Sequence, residues 1–327
     1  MDKVAVLGAG SWGTALAMVL ARHGRPVSLL TRTEEQAKSI EQRGENLTYL
    51  PGVPLPKGIT ATAEWEEALA SASIIVLSVP CAAAESFLIR LAFDHRLVIA
   101  TCKGLSPDNM ERMDELLIRR LGKKRTALLS GPSFALEVAR GMPAALTMAA
   151  HDLPTAHFAA SFFNDSSFRI YHSTDLAGVA MGGSLKNVIA IAAGIAEGMN
   201  LGHNAIAALV TRGIAEITRL ALACGGRAET LSGLSGLGDL VLTCTGSLSR
   251  NRRFGMALAG GFGIAAARHN IGQVVEGERT THAVCQLATQ LSIEMPIADA
   301  VKKVLDDELS PRDALQTLLD RPQGTEV

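Results

Sequence analysis

Three glycines near the start of the chain have the spacing of a dinucleotide-binding turn. The sequence KVAVLGAGSWGTALAMVLARHG places Gly8, Gly10 and Gly13 after a short apolar run and before an apolar helical segment. In such a turn the first glycine permits a tight bend, the second lets the backbone approach a pyrophosphate, and the third lets the helix pack on the strand. The N–H groups and positive dipole at the helix start favour phosphate binding. Glycine-rich loops also occur without a ligand, but the strand before and the helix after favour dinucleotide binding.

Arg32, which follows the strand predicted at 27–30, bears on the choice of cofactor. A site selective for NAD usually has an aspartate or glutamate there, which accepts the ribose hydroxyls. This chain has Arg32 between Thr31 and Thr33. Because a guanidinium and hydroxyls suit a 2′-phosphate, we expect NADP(H) to be preferred and NAD(H) to be possible. The alternative is an arginine that is simply exposed at the end of a strand.

A lysine precedes an apolar run in the stretch GGSLKNVIAIAAGIAEG, residues 182–198. Positions three and four apart on a helix are neighbours, so Lys186 lies over Gly182 and Gly183 on one side and over aliphatic residues on the other. We expect the glycines to leave space for a ligand and the aliphatic side chains to exclude water. Desolvation lowers the pKa of an ammonium group, which suits proton donation and acceptance near neutral pH. The alternative is a lysine that extends along the helix to reach solvent.

A cluster further along the chain has the groups that bind a phosphate dianion. Residues 249–253, SRNRR, combine a hydroxyl, an amide and guanidinium groups, and Asp239 follows the glycine-rich stretch LSGLSGLG. Guanidinium groups bind phosphate in a planar, bidentate geometry. A basic patch for nucleic acid is the alternative, but the net charge of −1 gives no wide positive field. We therefore expect a small phosphorylated substrate and no nucleic-acid partner.

Two further groups follow predicted strands at the carboxyl edge of the sheet, where ligands bind in doubly wound folds. Lys103 comes after the strand predicted at 97–101, and the stretch GPSFA, from Gly131 to Ala135, comes after the strand predicted at 127–130. Small residues there expose backbone N–H groups at a helix start, which favours anion binding. For Lys103 the alternative is a solvated loop residue.

These groups need a sheet and a helical domain to hold them. Continuous apolar runs alternate with helix-length segments in the first half of the chain, which is typical of a mainly parallel sheet covered on both faces. After about residue 172 helical periodicity dominates. The sequence thus predicts an α/β chain with a dinucleotide-binding domain at 1–172 and an all-helical substrate domain at 173–327. The predicted strands are 4–7, 27–30, 59–62, 74–79, 97–101, 127–130 and 145–149.

Composition argues against several classes of protein. Five cysteines without a CxxC pair argue for a reducing interior and against a disulfide framework or a structural zinc, so we expect no metal. The start MDKVAVLGAG lacks the apolar segment of a signal peptide, and a central lysine opposes membrane insertion of the window 178–196. We therefore expect a cytoplasmic protein without stable membrane insertion.

Seven motifs occur in order from the first strand to the last third of the chain: GAGSWGTA (8–15), KG (103–104), SGPS (130–133), LKNVIA (185–190), GLGD (236–239), SRNRR (249–253) and QVVEG (273–277). Together they resemble those of bacterial NAD(P)-dependent glycerol-3-phosphate dehydrogenase. The resemblance implies a Rossmann dinucleotide-binding domain followed by an all-α domain of the 6-phosphogluconate dehydrogenase C-terminal type. It also implies an oxidoreductase that interconverts dihydroxyacetone phosphate and sn-glycerol 3-phosphate by hydride transfer and supplies the latter for glycerophospholipid synthesis.

The resemblance further implies roles for individual residues. Lys186 corresponds to the proton-transfer residue of the family. Trp12 stands where tyrosine or phenylalanine is usual, Ser133 stands where threonine is common, and Arg32 lies at a variable position. Beside the three glycines, the implied cofactor contacts come from Ser11, Trp12, Arg32, Lys103, Ala135, Arg250, Val274 and Glu276. The implied substrate contacts come from Lys103, Gly131, Ser133, Lys186, Asp239, Ser249, Arg250 and Asn251.

Two other functions fit part of the pattern. A hydroxy-acid dehydrogenase of the 6-phosphogluconate or β-hydroxyacid type shares the glycine-rich turn, a catalytic lysine and an asparagine, but it explains SRNRR less well. A nucleotide-sensing regulator needs no lysine in an apolar setting. We also expect a homodimer, because helical second domains of this kind often pair.

Overall fold

The computed structural model describes residues 2–105, 110–163 and 166–322. The chain divides into two compact units, of which the first combines Met1–Lys103 with Glu111–Ala180 and the second combines Gly104–Met110 with Met181–Val327. Each unit has its own secondary structure and its own buried residues.

An eight-stranded sheet forms the centre of the first unit. Its strands are β1 (Lys3–Leu7), β2 (Val27–Leu30), β3 (Ile59–Thr62), β4 (Ala72–Leu77), β5 (Leu97–Ala100), β6 (Thr126–Ser130), β7 (Ala144–Ala150) and β8 (Phe168–Ser173). They lie in the order β3-β2-β1-β4-β5-β6-β7-β8, and all neighbours are parallel except the antiparallel pair β6 and β7. This sheet confirms the predicted α/β fold, and all seven predicted strands are present.

Strand β8 was not predicted. Its sequence FRIYHS mixes apolar and charged side chains, and Phe168 is the one fully buried residue along it. The strand pairs with β7 at the edge of the sheet, and an edge strand carries less of the apolar pattern than a central one. The strand predicted at 74–79 begins and ends two residues earlier, as Ala72–Leu77.

Both faces of the sheet are covered by helices. Along β1, Val4 and Val6 belong to one buried cluster, whereas Ala5 and Leu7 belong to another. Successive strand residues point to opposite faces, so a strand buried on both sides has a continuous apolar sequence. The helices of this unit are α1 (Ser11–Arg22), α2 (Glu34–Arg43), α3 (Trp65–Leu69), α4 (Cys81–Arg90), α5 (Met113–Leu121), α6 (Ala135–Ala139) and α7 (Leu153–Ala160), with a short 3₁₀-helix at Lys123–Arg125.

The second unit is helical, as predicted. Its first long helix, α8 (Leu176–Gly198), begins in the first unit, and a five-residue π-helix at Leu234–Gly238 precedes α11. The remaining helices are α9 (Gly202–Ala223), α10 (Ala228–Leu231), α11 (Asp239–Thr245), α12 (Arg250–Ala259), α13 (Ile264–Ile271), α14 (Glu276–Gln290), α15 (Pro296–Leu305) and α16 (Pro311–Leu319).

Helix α8 is a core helix. Its length and hydropathy would suffice to cross a membrane, yet 83% of its most apolar window is buried inside the protein. Close backbone contacts explain its glycines. A Cβ on Gly194 would lie 1.9 Å from the carbonyl oxygen of Arg252, and a Cβ on Gly255 would lie 2.1 Å from that of Ile191. Helices α8 and α12 therefore pack with their backbones in direct contact.

A buried carboxylate joins α9 to the start of α15. Glu216 is 2% exposed, and its oxygens accept the backbone N–H groups of Ile297 at 2.8 Å and Ala298 at 3.4 Å. Burial raises the pKa of Glu216 to about 7, although the two N–H groups and Arg219 act in the opposite direction. The folded protein therefore keeps this carboxyl group protonated to a higher pH than the unfolded chain does.

We expect Glu216 to make stability depend on pH. A carboxyl group whose pKa is raised on folding stabilises the protein below its unfolded pKa of 4.5 and loses that contribution as the pH rises through about 7. Glu216→Gln, which cannot ionise, should gain roughly 3 kcal/mol of stability relative to the wild type between about pH 4.5 and about pH 8. Urea unfolding at several pH values measures this difference. Glu294→Gln, at a side chain that is 81% exposed, is the control, and a Glu216→Gln difference that stays constant with pH would contradict the prediction.

Candidate active site

The glycine-rich turn has the geometry that a dinucleotide requires. Gly8 has a φ of +111°, and a Cβ there would lie 2.3 Å from the carbonyl oxygen of Ser78. A Cβ on Gly13 would lie 1.9 Å from the carbonyl oxygen of Gly8, whereas a Cβ on Gly10 would meet no described atom within 4 Å. The turn is therefore tightly packed at Gly8 and Gly13 and open at Gly10, where a ligand can approach the backbone.

The helix after this turn begins without a capping side chain. Gly10 is the N-cap residue of α1, so the first N–H groups of the helix have no side-chain acceptor from that position. The hydroxyl of Ser11 donates to the carbonyl oxygen of Tyr49 at 2.6 Å. Trp12 packs against the core, and its indole Nε1 is buried without a hydrogen-bond partner among the described residues. Uncapped N–H groups at a helix start bind anions, so these residues fit a pyrophosphate.

Arg32 lies just after β2 and is exposed. Its backbone N–H donates to the side-chain oxygen of Gln36 at 3.4 Å, and the amide of Gln36 donates to the carbonyl oxygen of Ala9 at 3.0 Å. The hydroxyl of Thr31 donates to the carbonyl oxygen of Thr33 at 2.9 Å. Gln36 therefore connects the backbone of Arg32 to the glycine-rich turn, while the Arg32 side chain is open to solvent.

Lys103 and the stretch after β6 converge on one carbonyl oxygen. The ammonium of Lys103 donates to the carbonyl oxygen of Gly131 at 3.2 Å, and the hydroxyl of Ser133 donates to the same oxygen at 3.0 Å. Gly131 has a φ of +140°, and a Cβ there would lie 2.9 Å from the Cα of Leu146. Ala135 is the first residue of the five-residue helix α6. Lys103 is partly buried, so the turn at Gly131 fixes a cation at the carboxyl edge of the sheet.

Lys186 and Asp239 form an ion pair in the second unit. The side chain of Lys186 is 12% exposed, and that of Asp239, the first residue of α11, is 1% exposed. The Lys186 ammonium donates to a carboxylate oxygen of Asp239. A carboxylate within hydrogen-bonding distance stabilises the charged form of an ammonium group and thereby opposes the effect of desolvation. The geometry therefore holds the Lys186 amine against a buried carboxylate in a nearly dry position.

Gly182, one of the two glycines of α8 near Lys186, does not leave space for a ligand as expected. A Cβ on Gly182 would lie 2.5 Å from the carbonyl oxygen of Ser235 and 3.2 Å from the Cα of Gly236. The backbone of the π-helix occupies the volume beside Gly182, and this close approach brings Asp239 to Lys186. The expectation is therefore wrong for Gly182, because a small residue on a helix can equally mark a backbone contact. π-Helical turns are frequent at functional sites.

Asn251 connects three helices. Its amide nitrogen donates to the side-chain oxygen of Asn187 at 2.8 Å, and its amide oxygen accepts the backbone N–H of Gly277 at 3.0 Å. A Cβ on Gly277 would lie 2.7 Å from that amide oxygen. Asn251 is 8% exposed, so it joins α8, next to Lys186, to α12 and to the first turn of α14.

The basic cluster 249–253 separates into residues with different environments. Ser249 is the N-cap residue of α12, and its hydroxyl accepts the backbone N–H of Arg252 at 3.3 Å. The guanidinium of Arg252 forms an ion pair with Glu197, and Arg253 is exposed. Arg250, the first residue of α12, is half-buried. Arg250 is thus the arginine of the cluster that is best placed to bind an anion.

The two predicted contacts near residue 275 lie at the start of α14. Val274 is 51% exposed, and Glu276 is the half-buried first residue of the helix. The N–H of the next residue, Gly277, bonds to Asn251. The junction at Asn251 therefore also fixes the position of Glu276.

Two residues that fix the glycine-rich turn were not predicted from the sequence. Asn46 is 1% exposed and donates to the carbonyl oxygen of Ala9, as Gln36 also does. Neither residue belongs to a motif or to a periodic pattern. A buried asparagine in a connection between elements gives no spacing signal, because its partner is distant in the sequence.

Two family models match the chain. One, described as NAD-dependent glycerol-3-phosphate dehydrogenase N-terminus, matches residues 3–156, and the other, described as NAD-dependent glycerol-3-phosphate dehydrogenase C-terminus, matches residues 175–316. Glycerol-3-phosphate dehydrogenase (NAD(P)+) from Moorella thermoacetica is 45% identical over 100% of this chain and 98% of its own length. The protein of the same name from Acidobacterium capsulatum is 47% identical over 98% of this chain and 99% of its own.

Solved structures agree with these matches. The crystal structure of glycerol-3-phosphate dehydrogenase from Coxiella burnetii has a TM-score of 0.93 and 40% identity, and the match covers 98% of this chain and 99% of that one. The complex of D-mandelate dehydrogenase with NADH has a TM-score of 0.61 and 13% identity over 94% of this chain and 98% of that one. This second likeness shows a shared fold alone.

The three glycines of the turn should respond differently to alanine. Gly13→Ala should lower stability by about 3 kcal/mol, because the Cβ would overlap the backbone of Gly8. Gly10→Ala should fold normally, since its φ of −76° and ψ of −178° suit an L residue, but it should weaken NADPH binding because the Cβ occupies the open face. Thermal unfolding and NADPH fluorescence titration separate the two effects. Wild-type NADPH affinity in Gly10→Ala would show that the open face is not the binding surface.

Proposed function

The chain belongs to the NAD-dependent glycerol-3-phosphate dehydrogenase family, and we propose that it interconverts dihydroxyacetone phosphate and sn-glycerol 3-phosphate with a nicotinamide cofactor. The observation that carries the proposal is Lys186, a nearly buried ammonium that is ion-paired to the buried Asp239. Reduction of a ketone needs a proton donor at the carbonyl oxygen, and a positioned ammonium can be that donor. The similar proteins from Moorella thermoacetica and Acidobacterium capsulatum are named for this activity.

The residues around the glycine-rich turn fit the cofactor. When bound, a nicotinamide cofactor supplies the hydride that reduces the carbonyl carbon. The open backbone at Gly10 and the uncapped start of α1 bind the pyrophosphate. The further residues assigned to cofactor binding are Gly8, Ser11, Trp12, Gly13, Arg32, Lys103, Ala135, Arg250, Val274 and Glu276.

Lys186 performs the proton transfer in both directions. In reduction its ammonium donates a proton to the carbonyl oxygen, and in oxidation the neutral amine takes the proton from the hydroxyl. Asp239 holds the ammonium in place and stabilises its charged form. Lys103, with Gly131 and Ser133, orients the substrate, and holding the reactants in contact supplies much of the acceleration.

The start of α12 binds the substrate phosphate. Arg250 contributes its guanidinium to the phosphate, whereas Arg252 is paired with Glu197. Ser249 uses its hydroxyl oxygen as an acceptor within the helix cap, which leaves the hydroxyl proton for the phosphate. Asn251 has a second amide N–H beyond the one that bonds to Asn187. A guanidinium, a hydroxyl and an amide together suit a phosphate dianion.

The exposed Arg32 supports a preference for NADP(H) over NAD(H). Its guanidinium follows β2, where the adenosine ribose binds in dinucleotide folds, and a guanidinium pairs with a 2′-phosphate. No aspartate or glutamate occupies the position that would select the free ribose hydroxyls.

We extend the proposal to the domain roles, the compartment and the oligomeric state of the enzyme. Residues 1–172 bind the dinucleotide, and residues 173–327 bind the substrate and carry Lys186. The enzyme acts in the cytoplasm as a homodimer without membrane insertion, and it supplies sn-glycerol 3-phosphate for glycerophospholipid synthesis. The burial of α8, the most apolar helix, supports a protein that is not inserted in a membrane.

The reaction itself can be tested with one assay and two variants of the lysine. The wild type should oxidise NADPH with dihydroxyacetone phosphate. Lys186→Met should lower kcat by about 10²–10⁴-fold with NADPH affinity unchanged, because the proton donor is lost. Lys186→Arg keeps a cation beside Asp239 but cannot release its proton, so it should lose kcat to a similar extent while remaining folded.

Three results of this assay would contradict the assignment. Turnover near the wild-type rate in Lys186→Arg would remove Lys186 from proton transfer. Oxidation of NADPH by a hydroxy-acid precursor instead of dihydroxyacetone phosphate would favour the other dehydrogenase class, and absence of any oxidation would favour a nucleotide-sensing protein.

The cofactor preference should depend on Arg32. Arg32→Asp replaces the guanidinium by a carboxylate that repels a 2′-phosphate and accepts ribose hydroxyls, so the ratio of kcat/KM for NADPH to that for NADH should fall roughly tenfold or more. Steady-state kinetics with both cofactors gives this ratio. Arg43→Asp, an equal charge change at the exposed end of α2, should leave the ratio near the wild-type value. A preference that Arg32→Asp does not alter would exclude Arg32 from cofactor selection.

A further inference from the structure

The connection between α2 and β3 is fastened to the glycine-rich turn by side-chain hydrogen bonds. The amide nitrogen of Asn46 donates to the carbonyl oxygen of Ala9 at 3.0 Å and to the hydroxyl of Thr14 at 2.8 Å. Its amide oxygen accepts the N–H of Tyr49 at 3.3 Å. From the turn, the hydroxyl of Ser11 donates to the carbonyl oxygen of Tyr49 at 2.6 Å. One buried amide thus uses both of its donors to join the two segments and its acceptor to fix its own connection.

These bonds hold the residues on both sides of Gly10. Ala9 precedes Gly10, and Ser11 and Thr14 follow it in the first turn of α1. Gly10 itself faces open space. Asn46 is 1% exposed, so it holds the turn from the protein interior and leaves the ligand-accessible side of the backbone uncovered.

A turn of this composition needs such support. Glycine has the largest conformational freedom of any residue, so a sequence with three glycines in six positions does not adopt one backbone conformation by itself. A binding loop that is already held in its bound conformation loses less entropy when the ligand binds. The hydrogen bonds of Asn46 therefore bear on affinity, although the side chain lies away from the ligand.

We propose that Asn46 is a positioning residue for the cofactor, which holds the glycine-rich turn in the conformation that binds a pyrophosphate. The inference rests on the proposed cofactor site at this turn. Because Asn46 acts through the turn, its loss should weaken ligands that contain a pyrophosphate and spare ligands that lack one. Its loss should also leave proton transfer at Lys186 unchanged once the cofactor is bound.

The test compares Asn46→Ala with the wild type at a temperature well below the unfolding of both. We expect the Kd for NADPH to rise about tenfold, from the loss of buried hydrogen bonds that fix the turn. The Kd for adenosine 2′-monophosphate, which has no pyrophosphate, should stay within about twofold, and kcat at saturating NADPH and dihydroxyacetone phosphate should also stay within about twofold. Glu45→Gln is the matched control for the Kd for NADPH, because Glu45 lies in the same connection, accepts the N–H of Gly52 there and has no bond to the turn among the described residues.

Thr14→Val is the second variant. It removes one acceptor of Asn46 while keeping the volume of the buried side chain, so the Kd for NADPH should rise about threefold. This variant decides the question if Asn46→Ala does not fold.

Each outcome bears on one proposal. An unchanged Kd for NADPH with a lowered melting temperature would give Asn46 a purely structural role and overturn the inference. An equal loss of affinity for NADPH and adenosine 2′-monophosphate would also overturn it, because the effect would not pass through the pyrophosphate. If the wild type bound neither NADPH nor NADH, the proposed function would fail instead, independently of any variant.

Discussion

The buried carboxylate of Asp239, with 1% exposure, constrains the arrangement of the second unit. An unpaired buried charge costs several kcal/mol, and Lys186 is the cation that pairs with Asp239. Helix α8 contacts the π-helix backbone at Gly182, one turn before Lys186, and Lys186 lies beside Asp239. The π-helix sets the start of α11 and hence the position of Asp239. The ion pair, Gly182 and the π-helix are therefore parts of one arrangement.

Two buried asparagines each join separate segments next to a predicted binding surface. Asn46 joins the glycine-rich turn to a neighbouring connection, and Asn251 joins α12 to α8 and α14. A primary amide can donate and accept at the same time, so one side chain can satisfy backbone groups from two segments. It is also neutral. It can therefore stiffen a phosphate-binding region without adding a charge that would attract or repel the ligand.

The sequence was most informative where local pattern and structure coincide. The seven predicted strands have continuous apolar sequences because both faces of the sheet are buried, and the glycine turn could be predicted because its constraints lie within six residues. Strand β8 escaped prediction because an edge strand shows little apolar pattern. The pairs Asn46 with Ala9 and Asn251 with Asn187 link residues 37 and 64 positions apart, and no local signal connects them. At Gly182 the sequence predicts space for a ligand, whereas the structure has a close backbone contact there.

The ion pairs of the second unit also determine how much negative charge a bound molecule can bring. Lys186 and Arg252 are each paired with a carboxylate, whereas Arg250 and the exposed Arg253 form no ion pair with any described residue. One guanidinium suits a single phosphate group. A second phosphate on the same molecule would have to rely on cations outside the start of α12 or on the exposed Arg253. The charges of the cluster are therefore matched to a ligand that carries one phosphate group.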